Sequence, residues 1–464
     1  PCCGWRRSCG CSFRKGCSVS SGRRAVALRP GQLLAVGGML FSMFFGAGNL
    51  ILPPLLGLQA GDQAIPAMTG FLIAGIGLPV LGIVAVAVCG GVRELAGRVS
   101  PLFASVFIAL MYLTIGPFLA IPRTSSTAFE MLRPLLPVTD AAGLGVATAA
   151  FSVAFFGVAF ALALRPGLLS RVLGRFSAPA LILLIVLVVG ASVLGGAPAP
   201  TAPQPPYDAS PLSNGFLTGY QTMDLLAALC FGIVVAANVR ELGVSDPKRV
   251  AGSISGAGLI AGALMMAIYC GLAFVGSAMG STMPDAANGA SILAASASAH
   301  FGPAGTVIVA AIFLLACLNV CTGLISCCSE YFSEAFPRIP LPAWAAAFAA
   351  FSCAVSLVGL DAILAFSAPL LGALYPPAIV LVVMGLAHGR CDRLPRMWPC
   401  AVLATAAFSV AVGLRDAFAP GAWLPLDALP LADAGLGWLV VAIAGAAAGA
   451  IWSLAERRRR ARRA

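Results

Sequence analysis

The sequence predicts an all-α polytopic membrane protein of about twelve transmembrane helices. Three observations predict it. Hydrophobic residues make up 60% of the 464 and charged residues only 10%, against about 45–50% and ~25% in soluble globular domains. Mean hydropathy is +0.97. Apolar runs long enough to cross a ~30 Å hydrocarbon layer recur along the chain. The 52 Gly and 33 Pro fit such helices, because neighbouring helices re-satisfy the backbone groups they free. The same composition excludes a soluble enzyme, a disordered chain and a coiled coil. No large hydrophilic block occurs, so one membrane domain is expected.

In chain order, residues 1–29 come first. They are Arg-, Ser- and Cys-rich and fit nothing downstream. They are read as a tail outside the fold, either a start-site artefact or a basic, disordered cytoplasmic extension. Apolar spans follow at 33–58, 65–89, 102–131, 142–164 and 177–195. A Pro-rich stretch at 196–216 separates them from spans at 218–240, 250–279, 304–330, 343–360, 363–387, 397–414 and 435–455. A basic cytoplasmic tail closes the chain at 457–464. The transporter domain expected is therefore 30–456, with one half at 33–195, a second at 218–387 and two trailing helices within 397–455. Halves with an odd number of spans place the second upside down, the pattern of inverted repeats.

Charge tests this layout. With the N-terminus inside, only Arg123, Arg133 and Arg415 of the 28 Lys and Arg fall on the outer side. Acids populate the outer loops instead, among them Asp62, Asp208, Asp285, Asp361, Asp427 and Asp433. This asymmetry predicts two cytoplasmic termini and an even span number, in a plasma or cell inner membrane. It also accounts for the net charge of +11 without nucleic acid. No CxxC pair occurs among the 15 Cys, and His300 and His388 are the two histidines, so no metal centre or cofactor is expected. A P-loop is absent from the sequence, and titratable groups do not converge in the spans. ATP-driven pumping and enzymatic chemistry are thereby disfavoured. A channel needs a polar pore, and the spans carry no charged ring.

Four segments carry candidate function. The first span runs Phe44-Phe45-Gly46-Ala47-Gly48-Asn49 into Pro53-Pro54. Those residues are poor company for a continuous helix. Either the helix is discontinuous there, with free carbonyls for a cation and free N–H groups for a carboxylate, or the glycines mediate a helix contact beside a Pro kink. The sixth span holds Gly232 near its middle and Asp224 in its outer half. Asp224 is either a functional intramembrane carboxylate or an interfacial one bonded to Tyr or Thr. Arg123 of the third span either gates an outer vestibule, paired with Glu130 or Asp224, or snorkels to the headgroups. Asn319, Thr322 and Ser326 of the eighth span share one helix face. They serve either as cation ligands or as interhelical hydrogen-bond formers.

Beside these readings, long stretches resemble the branched-chain amino acid:cation symporter family. They are Met39–Gly61 (MLFSMFFGAGNLILPPLLGLQAG), Tyr112–Glu130 (YLTIGPFLAIPRTSSTAFE), Gly219–Gly243, and Gly359–Val383 with its Ala-Leu-Tyr-Pro-Pro. The resemblance covers nearly the whole chain after about residue 30. It implies a LeuT-like 5+5 inverted repeat with broken helices 1 and 6, plus two trailing helices. It implies import of Leu, Ile and Val with a coupling cation, normally Na⁺. It also implies a Na⁺ site between the first and eighth helices, here the carbonyls of Ser42 and Phe45 with the region of Ala316 and Asn319. The substrate's charged ends then meet the backbone at Gly46, Ala47, Gly48 and Asn49 and around Ala228 to Gly232. Phe44 and Phe231 are the implied walls for the branched side chain. An apolar pocket discriminates by only about 1–3 kcal/mol per methylene, so the three amino acids are expected to share it. The implied partners are this small-molecule substrate and the lipid bilayer, with no nucleic acid and no obligate protein partner. The chain departs from the resemblance at Asn319-Val320, where family members are expected to carry two adjacent hydroxyl residues. The alternative is proton coupling, with Asp224 the nearest intramembrane acid.

Overall fold

Proline sets where many of the helices start. Pro30, Pro101, Pro211, Pro247 and Pro303 each occupy the first helical turn, where a missing N–H costs nothing and φ is already helical. The computed structural model describes residues 28–137, 140–165, 178–196, 201–244, 246–286, 288–423 and 425–462. Most of the N-terminal tail read at 1–29 and the last two residues of the basic tail lie outside the described residues.

Among the described residues all regular structure is helical. The elements are α1 (Pro30–Phe44), α2 (Ala47–Ala60), α3 (Ala64–Leu72), α4 (Leu78–Cys89), α5 (Val92–Gly97), α6 (Pro101–Leu113), α7 (Ala120–Leu132), α8 (Ala141–Ala163) and α9 (Ala178–Leu194). They continue as α10 (Pro211–Tyr220), α11 (Asp224–Glu241), α12 (Pro247–Met279), α13 (Gly289–Phe301), α14 (Pro303–Ala335) and α15 (Leu341–Ser356). The chain closes with α16 (Leu360–Leu386), α17 (His388–Cys391), α18 (Met397–Phe418) and α19 (Gly437–Ala461). Eight helical stretches of the described residues are long and apolar enough to cross a membrane. The protein is an all-helical, multi-pass membrane protein.

Two π-helical stretches bend the frame. Ile73–Gly77 joins α3 to α4, and Thr114–Phe118 joins α6 to α7. The second contains Pro117, which has no N–H to give and crowds the carbonyl one turn earlier. Gly116 absorbs the distortion at φ −91°, ψ −123°.

Helices that interrupt themselves lie along helices that do not. α1 and α2 both pack on α12, and α10 and α11 pack on α3 and α4. Backbones touch along two of these seams. A Cβ on Gly276 would lie 1.8 Å from the Pro54 carbonyl oxygen, and one on Gly57 2.0 Å from that of Ala273. The α3–α10 seam repeats the device, with Gly215 against Ala67 and Gly70 against Leu212. Small residues permit this approach where lipid offers no hydrophobic drive for helix association.

The sixth helix differs from its sequence reading. It begins at Pro211, inside the stretch read as a loop, and it breaks at Gln221-Thr222-Met223. Gly232 sits within continuous α11. A Cβ there would lie 2.7 Å from Val86, so Gly232 is a notch for α4 and not a hinge.

α7 is the most polar of the buried helices. Thr124, Ser125, Ser126 and Thr127 are all buried. Ser126 donates to the Ser356 carbonyl at 3.0 Å, and Ser125 and Ser152 hydroxyls lie 3.2 Å apart. These bonds fasten α7 to α8 and α15, with α14 along its side.

Candidate functional site

α1 ends at Phe44 and α2 starts at Ala47. Phe45 (φ −75°, ψ 98°) and Gly46 (φ −128°, ψ −166°) run extended between them. A Cβ on Gly46 would lie 3.1 Å from a Val320 methyl, so α14 closes over this point. The gap frees the last carbonyls of α1 and the first N–H groups of α2. The α2 terminus also carries the positive end of its helix dipole. At the second break Met223 takes a left-handed conformation, φ 63°, ψ 9°, which costs a non-glycine residue about 1–3 kcal/mol. Asp224 then opens α11 at its positive end.

Both breaks face one cavity of about 40 Å³, lined by Phe44, Gly48, Asn49, Arg123, Asp224 and Phe231 among others. That space holds about three waters. A leucine, with nine heavy atoms, enters only if the walls move apart.

Polar groups bridge the two breaks. Asn49 of α2 donates to Asp224 Oδ2 at 2.9 Å and to the Tyr269 hydroxyl of α12. Arg123 of α7 donates to the carbonyl of Gln221, in the second break, at 2.7 Å. Its Nη2 lies 2.6 Å from where a Cβ on Gly48 would stand. Arg123 is only 3% exposed, and its Nε has no hydrogen-bond partner. Among the described residues it makes no ion pair; Glu130 is held by Arg133 at 3.6 Å instead. A buried guanidinium with donors to spare, beside a helix N-terminus, forms a receptor for a carboxylate.

The cavity brings together Phe44, Gly46, Ala47, Gly48, Asn49, Phe231, Arg123 and Asp224 from the sequence reading. Ala228 and Gly232 face α4 instead, against Gly82 and Val86. Helical geometry turns them from the break, which lies further up the chain. The snorkelling reading of Arg123 also fails, because α14 and α15 cover α7. Phe45 and Ala316 are buried, while Ser42 and Asn319 are half-buried. The Phe45 ring stacks on Phe41 at 5.0 Å. Thr322 spends its hydroxyl on the Leu318 carbonyl at 2.7 Å, and Ser326 reaches Ala163 at 3.3 Å. Sequence reasoning missed Gln221 and Tyr269 as members of the site, and it named Val320 only as a missing cation ligand and not as a wall of the cavity. Tyr269 sits in an apolar stretch of α12 and carries no local signal.

Comparison with known proteins gives the family and the fold of the chain. The family described as branched-chain amino acid transport protein matches residues 30–456. The branched-chain amino acid transport system 3 carrier protein of Pseudomonas aeruginosa is 40% identical, over 91% of this chain and 96% of its own. The branched-chain amino acid permease BraB of Bacillus subtilis is 36% identical, over 91% and 95%. BrnQ of Escherichia coli is 35% identical, over 93% and 98%. In fold, the chain is similar to Mhp1, a nucleobase-cation-symport-1 family transporter, with TM-score 0.57, 14% identity and coverage of 91% and 92%. A manganese transporter of Eremococcus coleocola matches with TM-score 0.53, 15% identity and coverage of 95% and 99%. These relatives are transporters and not enzymes. The chain belongs to the branched-chain amino acid transport protein family.

Proposed function

We propose that the protein imports leucine, isoleucine and valine by cation symport, most readily with Na⁺. The observation that carries this reading is the single cavity shared by two helix breaks, with Arg123 and Asp224 at its centre. The substrate carboxylate sits between the Arg123 guanidinium and the free N–H groups at the start of α2. Its ammonium faces Asp224 and the open carbonyls at the end of α1. Phe44 and Phe231 take the branched side chain. Relatives named for branched-chain amino acids support the substrate class.

The frame we propose is twelve spans, five and five inverted plus two trailing. Reciprocal packing supports it: both parts of the first broken helix lie on α12, and both parts of the second on α3 and α4. Exchanging the first helix for the sixth and the second for the seventh reproduces the contacts. Both termini are then cytoplasmic. Cysteine-accessibility labelling is expected to find the C-terminal tail and the 165–175 loop on the inner side; an external C-terminus overturns the frame.

The coupling site is the weakest part of the inherited pattern. Val320 gives no oxygen to the first break, and Thr322 is engaged on its own helix. Na⁺ is a hard ion and needs several oxygens, so the carbonyls of Ser42 and Phe45 and the Asn319 amide hold it weakly. Leucine uptake into proteoliposomes is expected to follow a Na⁺ gradient and to saturate only at high Na⁺. Asn319→Ala raises the Na⁺ requirement and Val320→Thr lowers it, each by roughly 3- to 10-fold, the worth of one ligand. The buried Asn49–Asp224–Tyr269 network favours a second reading, a proton carried on Asp224. Uptake that ignores Na⁺ and tracks an imposed pH gradient selects that reading.

A further inference from the structure

A helix break without Gly or Pro does not hold itself open. Gln221, Thr222 and Met223 contain neither, and Met223 sits in a left-handed conformation, φ 63°, which is strained for a residue with a side chain. Continuous helix from α10 into α11 is the lower-energy local state, so contacts from other helices keep the two parts separate. Two of these contacts belong to the site itself. Arg123 donates to the Gln221 carbonyl at 2.7 Å, and Asn49 donates to Asp224 at 2.9 Å. The substrate is proposed to engage Arg123 and Asp224, so neither contact is a fixed support while leucine enters and leaves.

The support that leucine does not touch comes from α16. Its Ser367 donates to Gln221 Oε1 at 2.6 Å, and the Tyr375 ring stacks on Tyr220, the last residue of α10, at 4.4 Å. Ser367 and Tyr375 are both fully buried, and neither lines the cavity that the two breaks share. The break also splits a backbone pair. In an unbroken helix the Gln221 carbonyl would accept the Leu225 N–H, four residues on. Here Arg123 takes the carbonyl, and the Leu225 N–H is left within reach of the Tyr375 hydroxyl, which has no close partner of its own. The sequence marks this tyrosine in its Ala-Leu-Tyr-Pro-Pro run without indicating what it does.

We propose that Ser367 and Tyr375 are positioning residues for the substrate carboxylate. From α16 they hold the second break open, and the Gln221 carbonyl then stays where it aims Arg123 at Gly48 and the start of α2. The carboxylate's part rests on the transport reading above; the holding of the break does not.

Two readouts on the full-length chain test this. In proteoliposomes, Ser367→Ala is expected to raise the leucine KM about 10-fold, the upper worth of one neutral hydrogen bond, with the maximal rate per transporter unchanged. Ser367→Thr keeps the hydroxyl and is expected to keep the wild-type KM. Tyr375→Phe keeps the ring stack, loses the hydroxyl and is expected to raise the KM about 3-fold. In an Arg123→Gln background Ser367→Ala is expected to add nothing, because its effect passes through that guanidinium. Without leucine, amide hydrogen exchange at 222–226 is expected to run about 10-fold faster in Ser367→Ala and Tyr375→Phe, a local opening that leaves the rest of α16 as in wild type. An unchanged leucine KM in both variants, or the same rise with Arg123 already replaced, overturns the positioning role. Unchanged exchange at 222–226 in both overturns the holding of the break. Faster exchange throughout α16 with an unchanged KM makes the two residues packing residues only. If wild type takes up no leucine while the exchange result stands, it is the transport reading that fails.

Discussion

Gly48→Leu is expected to reduce leucine uptake to about 1% of wild type or less, while the protein still reaches the membrane. A Cβ at position 48 stands 2.6 Å from Arg123 Nη2, and the rest of the side chain fills the seat proposed for the carboxylate. Arg123 cannot retreat easily, because it is 3% exposed and tied to Gln221. A hundredfold loss corresponds to about 2.7 kcal/mol of lost stabilisation, modest for a steric block in a packed interior. Gly46→Leu is expected to abolish less, since its Cβ meets a Val320 methyl at 3.1 Å and a side-chain tip yields more readily than a buried guanidinium bonded to Gln221. Initial rates of radiolabelled uptake, normalised to transporter in the membrane, check both. A wild-type rate for Gly48→Leu reduces these glycines to packing residues.

Arg123→Gln is expected to raise the leucine KM about 100-fold, and Arg123→Lys is not expected to restore it. The guanidinium offers a planar fork to a carboxylate, and an ammonium does not reproduce that geometry. Arg123→Gln also gives up the buried bond to the Gln221 carbonyl, a charged hydrogen bond worth about 1.5–3 kcal/mol, so stability falls as well. Competition by a carboxylate-free analogue, isoamylamine, separates the two effects. If Arg123 receives the carboxylate, the amine inhibits wild type and Arg123→Gln equally. An unchanged leucine KM with lowered stability alone would leave Arg123 a structural residue.

How far the sequence discloses this site depends on what each break is made of. The first break is legible because Gly46, Gly48 and Pro53-Pro54 contradict helix over a run that otherwise demands it. The second break is hidden. Gln221-Thr222-Met223 contains neither Gly nor Pro, and Met223 adopts a left-handed conformation that residue preferences assign to other amino acids. Tertiary packing on α3 and α16 imposes it. Gly232 draws the eye for a reason that turns out to be steric, the approach of Val86. Helix starts are read well where proline marks them, and the start of α10 at Pro211 was obscured by the Pro-rich stretch before it. Arg123 is open between a vestibule gate and a snorkelling residue in the sequence, because nothing local shows whether the hydroxyl residues after it meet lipid headgroups or other helices. The hydroxyls of Thr124, Ser125 and Ser126 are spent inside the protein, on Ile121, Ser152, Pro122 and Ser356.

The polarity of α7 has a consequence for how the chain is made. Arg123 bonds Gln221 in the second break, Ser125 meets Ser152 of α8 and Ser126 bonds Ser356 of α15, and α7 also packs along α14; these last two helices begin at Leu341 and Pro303. An arginine at the centre of a lone helix resists insertion by about 2.5–3.5 kcal/mol. At ~5–20 residues per second, the ribosome needs on the order of ten to thirty seconds after finishing α7 to begin completing those partners. Through that interval the nascent helix lacks the part of its packing that α14 and α15 supply. It must be held by the insertion machinery, not released to lipid, until the second half of the protein emerges. Chains cut short before Pro303 are therefore expected to leave part of a hydrophilic helix uncovered and to be degraded faster than the full chain, which pulse-chase labelling of truncated chains checks.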